Sequence, residues 1–556
     1  MSSMVKKAIV FLSCIAIMSS LFTGCSTGKE KTADNTAGEN QSADNGSTSQ
    51  NTQGQSSFEP VQNGILPYKG EPIVYKGYAA DLGIKQNPDT PVSKAYTERV
   101  GNVKIEWQTG PWSDYNDKIK VFLSSGDLPD IVWMSDIQKN SNTYGPAGLF
   151  LDWNKYKDVM PNYQGYTADN STLERLQNEK NERYAITDID PVDVPMESWY
   201  YNKTLLDKYG IKVPDTMEEL VDAMRAIKKA DPGIIPFQSY WNIKYLKTAF
   251  ANTMKVGLGV TYSINTKKWY YSPFTADSNY KELIELLSVL YKEKLLNPEI
   301  ATTSREQENA VIAGNGWAFT YMYVDSFENE IYKTTNLPIE IKPMSPPSYN
   351  SKKTIALTIQ HDLVPTWGYF ASAKVKNPEL LAAYIDFVVS KEASELFNWG
   401  IEGLTYTKDS SGKKTYIKEY LTGTKSLKDV GVGDLFDVRY IQLKDRRAEY
   451  ERNGPLFKAA TDLNLGGLKD GTINANVCMP TPMFTDEQSQ EISVNLTSLD
   501  TYINESEFKF ILGNKSMSEW DKFINKAKTI GNIDKVLEIY NSAKQLELAE
   551  RVYEIE

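Results

Sequence analysis

Histidine is almost absent from this chain: one, His361, among 556 residues. A single imidazole removes metal centres built from clustered His ligands, and any Ser-His-Asp or Cys-His arrangement that does not use it. Its neighbours Gln360 and Asp362 form no motif. Cysteine is scarce too, at three. Cys14 falls in an N-terminal segment expected to be removed and Cys25 in a position expected to be acylated, which leaves Cys478, followed by Met479 and Pro480, as a small apolar residue without a partner for an intrachain disulfide. Basic charge is in deficit: 61 Lys and Arg stand against 72 Asp and Glu, a net charge of -11. The phosphate-neutralising footprint that a nucleic-acid partner requires is therefore missing. The acidic run 188–193, DIDPVD, contains Pro191 and lacks the Gly and terminal Glu of a calcium loop. No metal and no cofactor is expected. No hydrolase motif is present either, although glycoside hydrolysis needs only two carboxylates, so an enzyme remains an alternative.

What the chain has in surplus is aromatic surface, 34 Tyr and 11 Trp. Most such residues build cores and strands, but sugar-binding clefts draw on the same side chains. The length exceeds one ordinary core and predicts two domains or lobes. At the N-terminus Lys6 and Lys7 precede an apolar run from Ala8 to Phe22, and Leu21-Phe22-Thr23-Gly24-Cys25 reads as a lipobox with Phe22 in place of the usual Leu. Residues 1–24 are expected to be a lipoprotein signal peptide and Cys25 the acylated first residue of the mature chain; a plain secretory signal is the alternative. Residues 25–58 are mostly Ser, Thr, Asn, Gln, Gly, Asp and Glu and cannot build a core, so they read as a linker.

The folded part is expected from about Pro72. Residues 73–79 read as a strand, 93–100 as a helix stopped by Gly101, 103–108 as a second strand, a helix capped by Ser113 with Tyr115, Ile119, Phe122 and Leu123 on one face, and 130–133 as a third strand. That order is a parallel-sheet unit. Residues 199–229 repeat it in finer detail. An aromatic strand leads to a helix capped by Asn202 and stopped by Gly210, then to a second helix opened by Thr216 and Glu219 as a capping box, with Met217, Leu220, Val221, Met224 and Ile227 as its apolar stripe.

This second stretch closely resembles the segment that opens the second lobe in family 1 extracellular solute-binding proteins, the carbohydrate receptors of ABC importers. The string SSGDLPDIVW at 124–133, GLFLD at 148–152, LYKE at 290–293 with NPE at 297–299, and WGIEGLTY at 399–406 resemble further strings of that family, the last of its larger oligosaccharide-receptor branch. Phe510-Ile511-Leu512-Gly513, Trp520, Gly531, Ile539-Tyr540-Asn541 and Ala543 are similar to that branch's C-terminal helices. In order, these matches span about 103–543.

The resemblance implies an α/β, two-lobed, periplasmic-binding-protein-like (type II) fold with a hinge and an extended helical C-terminal region. By that analogy lobe 1 takes 70–194 plus 351–400, and lobe 2 takes 195–350 plus 401–556. The implied ligand is an oligosaccharide, held between the lobes by aromatic plates and hydroxyl hydrogen bonds, and delivered to ABC permease subunits driven by a cytoplasmic ATPase. A monomer is expected, lipid-anchored on the outer face of a bacterial, Gram-positive cell membrane. Seven ligand contacts are expected: Trp112, Trp133 and Asp136 from their places at or just after strand ends; Trp241 and Trp317 because the resemblance implies aromatic platforms there; Trp367 in the stretch that the resemblance returns to lobe 1; and Glu402, set between Ile401 and Gly403 where it should be exposed. For each the alternative is ordinary: packing for the tryptophans, helix capping for Asp136. Trp107, Trp153, Trp199, Trp269 and Trp520 are assigned to structure. A surface glycoside hydrolase or lyase, and a peptide receptor of similar architecture, are the competing readings.

Overall fold

Among the described residues nine strands build the two larger sheets: β1 (Tyr68–Ala80), β2 (Gly101–Gly110), β3 (Ile131–Ser135), β4 (Ala185–Ile186), β5 (Glu197–Asn202), β6 (Ile235–Ser239), β7 (Trp317–Tyr323), β8 (Ile341–Met344) and β9 (Trp367–Ala371). The first sheet has the order β2-β1-β3-β9-β4 and the second β8-β5-β7-β6. This is a computed structural model; it describes residues 64–546 except 82–86, 170–175, 188–196, 240–242, 325–338, 350–366, 434–442, 471–479 and residues 179, 264 and 444. By contacts, 58–556 is one compact unit, separate from 1–57. The lipobox, the linker, DIDPVD, Trp241, His361 and Cys478 lie outside the described residues.

In the first sheet β1 pairs in parallel with both β2 and β3, while β9 runs antiparallel to β3 and β4. The connections are helical, as expected: α1 (Pro91–Val100) between β1 and β2, and α2 (Trp112–Ser125) between β2 and β3. α1 starts two residues earlier than expected because Pro91 suits a first helical turn and Thr90 caps it, accepting from Ser93 N. α2 also starts early. Ser113 is not its cap; the helix begins at Trp112 directly behind Pro111, with no side-chain cap, and ends on Gly126 in the left-handed conformation. A short helix, α3 (Ile137–Tyr144), follows β3.

The second sheet is reached through the stretch that the periodicity described best. Asn202 accepts from Leu205 N at the head of helix Lys203–Tyr209, and Gly210 closes it at φ 64°. Thr216 and Glu219 form the capping box of α4 (Met217–Ala230), whose five predicted apolar residues are all buried. Burial of side chains of this size contributes about 1.5–3 kcal/mol each, so this stripe, not helix propensity, holds α4 down. α5 (Ile243–Met254) and the helix Tyr280–Lys292 cover the same core. Among the described residues the two sheets have separate cores. One gathers Tyr75, Ile131, Val132, Tyr369, Leu381 and Tyr384; the other gathers Trp199, Leu220, Met224, Phe250, Leu287 and Phe319.

Two later helices, α6 (Pro378–Val388) and α7 (Lys391–Asn398), return to the first sheet. The chain then departs from the expected partition. The described residues between 401 and 453 stay with the first sheet's helices. Trp399 Nε1 bonds Asp445, Ser394 Oγ bonds the Leu443 carbonyl, Gly433 N bonds the Phe397 carbonyl, and Gly431 is packed against Thr90. The change of sides comes at α8 (Pro455–Asp470), where Leu456, Phe457 and Ala460 join Tyr200, Trp317 and Met322. The 26-residue α9 (Asp486–Ile511) puts Leu499, Ile503, Phe510 and Ile511 into the second core. Its first turn reaches back to the first-sheet side, where Asn142 Nδ2 on α3 donates to Ser489 Oγ at 3.3 Å.

Buried carboxyls are few but distinctive. Glu308, fully buried on helix Arg305–Ala313, accepts from Thr303 Oγ1 and from Asn297 Nδ2 at 3.2 Å. Burial pushes it up to about 7.

Candidate functional site

Because β1, β2 and β3 are parallel, their C-terminal ends share one edge of the first sheet. β9, antiparallel, starts at that edge: Trp367 sits opposite Ser135. Trp112, two residues past the end of β2, joins them. Trp133 and Trp367 stack with centroids 4.1 Å apart and planes 23° from parallel, and Trp112 stands edge-on to both, at 5.8 and 5.7 Å. Beneath this wall Tyr115 lies parallel to Tyr78 at 5.4 Å and donates its hydroxyl to the Trp133 carbonyl. The tight stack depends on Gly110, where a Cβ would come within 2.1 Å of Tyr78 Oη. Trp112 and Trp367 are half-buried, so each keeps surface free; Trp133 is 5 % exposed and serves as backing.

Carboxylates stand at the same strand ends. Asp81 follows β1, Asp114 is in the first turn of α2, and Asp136 follows β3; all three are exposed. Asp136 holds φ 56°, a left-handed conformation that Asp tolerates better than most residues, and heads α3 without a side-chain cap bond. Burial and then the charge of Asp114 raise the Tyr78 phenol, which keeps it a neutral donor.

The matching edge of the second sheet carries a second group. Glu197, first in β5, faces Tyr323 across the antiparallel pair β5–β7. Its Oε1 accepts from Tyr245 Oη at 2.8 Å and its Oε2 from Tyr321 Oη at 2.6 Å. Burial, then Glu197, hold both phenols well above the ordinary tyrosine value. Tyr323, 38 % exposed, lies with its ring 6.0 Å from that of Tyr245. Asn464 of α8 steadies this corner by donating to the Glu197 carbonyl at 3.0 Å.

Connectivity ties the two edges together. β4 ends at Ile186 on the Trp367 edge, β5 begins at Glu197, and ten residues lie between them; a chain of that length reaches at most ~36 Å. The return passes from Met344 to Trp367, again between the same two edges.

The model of the bacterial extracellular solute-binding proteins matches residues 83–395, more than half of the chain. The chain belongs to that family. Among curated relatives it is similar to the melibiose/raffinose/stachyose-binding protein MelE of Bacillus subtilis, 29 % identical over 226 residues, covering 38 % of this chain and 46 % of MelE. It is also similar to the polygalacturonan/rhamnogalacturonan-binding protein YtcQ of the same organism, 21 % identical, covering 81 % of this chain and 87 % of YtcQ. The lipoprotein LipO, again of B. subtilis, is 21 % identical, with 82 % of this chain and 89 % of LipO covered. Among solved structures, the alginate-binding protein AlgQ2 superposes with a TM-score of 0.69 at 21 % identity, over 85 % of this chain and 98 % of that one. The fold is that of the two-lobed solute-binding proteins.

Of the residues expected at the site, the structure brings Trp112, Trp133, Trp367 and Asp136 together. Trp317 is elsewhere. It is fully buried, and its indole Nε1 donates to the Ile312 carbonyl at 2.7 Å, which leaves no face for a ligand. As the first residue of an inner strand it points into the interior beneath α8. Glu402 is exposed but belongs to another neighbourhood, 3.4 Å from Lys408 beside the stacked Trp399 and Tyr416. Trp153, Trp199, Trp269 and Trp520 are buried, in keeping with their structural assignment. Glu197, Tyr245 and Tyr323 escaped sequence reasoning, because only the strand pairing shows that Glu197 and Tyr323 are opposite one another. Among the described residues no three His, Cys, Asp or Glu side chains are placed to hold a metal ion, and no helix is long and apolar enough to cross a membrane.

Proposed function

We propose that this protein is the lipid-anchored receptor of an ABC importer, that it captures an oligosaccharide between two lobes without cutting it, and that it presents the closed complex to a permease. The observation that carries this reading is the Trp112–Trp133–Trp367 wall on one sheet edge, joined by two crossings to the Glu197–Tyr245–Tyr321–Tyr323 group on the other. Tryptophan faces suit the C–H faces of pyranose rings, and carboxylates and phenols suit the hydroxyl rim. In this proposal the first lobe comprises 64–187 and 367–453 and the second 197–344 and 455–546. Closure would rotate one edge onto the other about the crossings, and the ligand would favour the closed state by its extra contacts there.

Names of relatives support a carbohydrate ligand: MelE and YtcQ are named for sugars they bind, and LipO is named as a lipoprotein. Thermal shift against a broad glycan panel tests the reading. One glycan class should raise the melting temperature and remain intact by chromatography. Shorter sugars appearing in the mixture would establish a hydrolase instead, and a response to peptides alone a peptide receptor. Anchoring at Cys25 is tested separately. Cys25→Ser should shift the protein from the membrane fraction to the medium, and mass spectrometry should find diacylglycerol on the wild type only.

A further inference from the structure

Among the described residues the charge at the strand ends around the aromatic wall is mainly negative. Asp81, Asp114 and Asp136 stand exposed at the first edge, and Glu197, half-buried, lies at the second. Among the described residues the strand ends and first helical turns of the first edge carry one lysine, Lys139 on α3; Lys118, a turn further along α2, is committed to the ring of Phe122 at 4.8 Å. Two helices open at this edge, and helix N-termini attract anions. Asp114 lies in the first turn of α2 and Asp136, exposed and without a cap bond, at the cap position of α3, so each helix start already carries a negative charge. At the second edge both oxygens of Glu197 are engaged by tyrosine hydroxyls, and the exposed ring of Tyr323 beside them suits C–H faces and brings no positive charge.

We infer that the site takes an uncharged oligosaccharide and rejects uronate-containing ones. This rests on the oligosaccharide-receptor reading and adds the ligand's charge class to it. It also separates this chain from YtcQ and AlgQ2, whose names specify acidic polymers, although AlgQ2 shares its fold. Each uronate carboxylate held against this rim meets like charges at short range, and exposed charges repel less as salt rises.

The test uses the full mature chain and matched-length ligands. Neutral galactosides, fructans, glucans, mannans and xylans form one set; oligogalacturonates and oligoalginates form the other. Affinities are measured by titration calorimetry at about 20 mM and about 500 mM salt. The expected result is a neutral ligand bound at least tenfold more tightly than any uronate at low salt, with the gap narrowing at high salt. In the variant Asp114→Asn/Asp136→Asn, whose exposed substitutions keep shape and leave the left-handed position tolerable, the gap should shrink by threefold or more. Uronates bound as tightly as the neutral ligand, or more so, would overturn the inference while leaving a sugar receptor in place. An unchanged gap in the double variant would overturn its attribution to these carboxylates. Silence from both sets, in a chain that melts cooperatively, would instead remove the parent reading.

Discussion

Tryptophans that look alike in the sequence divide sharply by what their faces touch. Trp367 is half-buried against the stacked ring of Trp133, so Trp367→Ala is expected to weaken glycan binding roughly tenfold while lowering the melting temperature of the free protein less than Trp317→Ala does. Trp317 is fully enclosed, so Trp317→Ala is expected to cost about 3–5 kcal/mol in urea unfolding while the folded fraction binds as before. Calorimetry and denaturation on the same two variants separate the roles. Glu308 supplies a pH dependence. Its carboxyl is raised to about 7 in the folded state from an ordinary value near 4.5, so the fold prefers the neutral acid. The associated stability is present in full below about 4.5 and is lost as pH rises through about 7. Glu308→Gln, which keeps an acceptor for Thr303 and Asn297, should gain up to about 3 kcal/mol on the wild type between pH 5 and pH 8.

At the level of elements, what the sequence revealed was whatever is set locally. The capping box at Thr216, the stop at Gly210 and the apolar stripe of α4 depend on residues within one or two turns, and each stands where periodicity put it. The α2 start was missed because proline's fixed φ competes with a side-chain cap that the sequence suggested at Ser113. Trp317 was misjudged for a different reason. Position after Gly314-Asn315-Gly316 says that a strand begins, but not that α8, more than a hundred residues later, closes over it. The side chosen by 401–453 and the pairing of Glu197 with Tyr323 likewise reside in tertiary contacts. The β2–α2 turn is where element geometry and binding meet. Gly110→Ala would drive a methyl into Tyr78 Oη, displace the head of α2 and with it Trp112, and so weaken glycan binding; Tyr78→Phe in the same chain should recover part of the loss. Affinities of the single and double variants decide it.

For the whole molecule, the two edge-to-edge crossings and the change of sides at α8 would by themselves permit bending. α9 adds a contact, since one end is embedded in the second core and its first turn meets α3 through Ser489 and Asn142. In the proposed closure this contact would resist sideways shear, which must first break the Asn142–Ser489 bond. Asn142→Ala is accordingly expected to broaden the distance distribution between spin labels on the two lobes in the sugar-free protein, leaving the sugar-bound distance in place. A receptor guided in this way would present the same closed face to its transporter each time, whichever end of the glycan entered first.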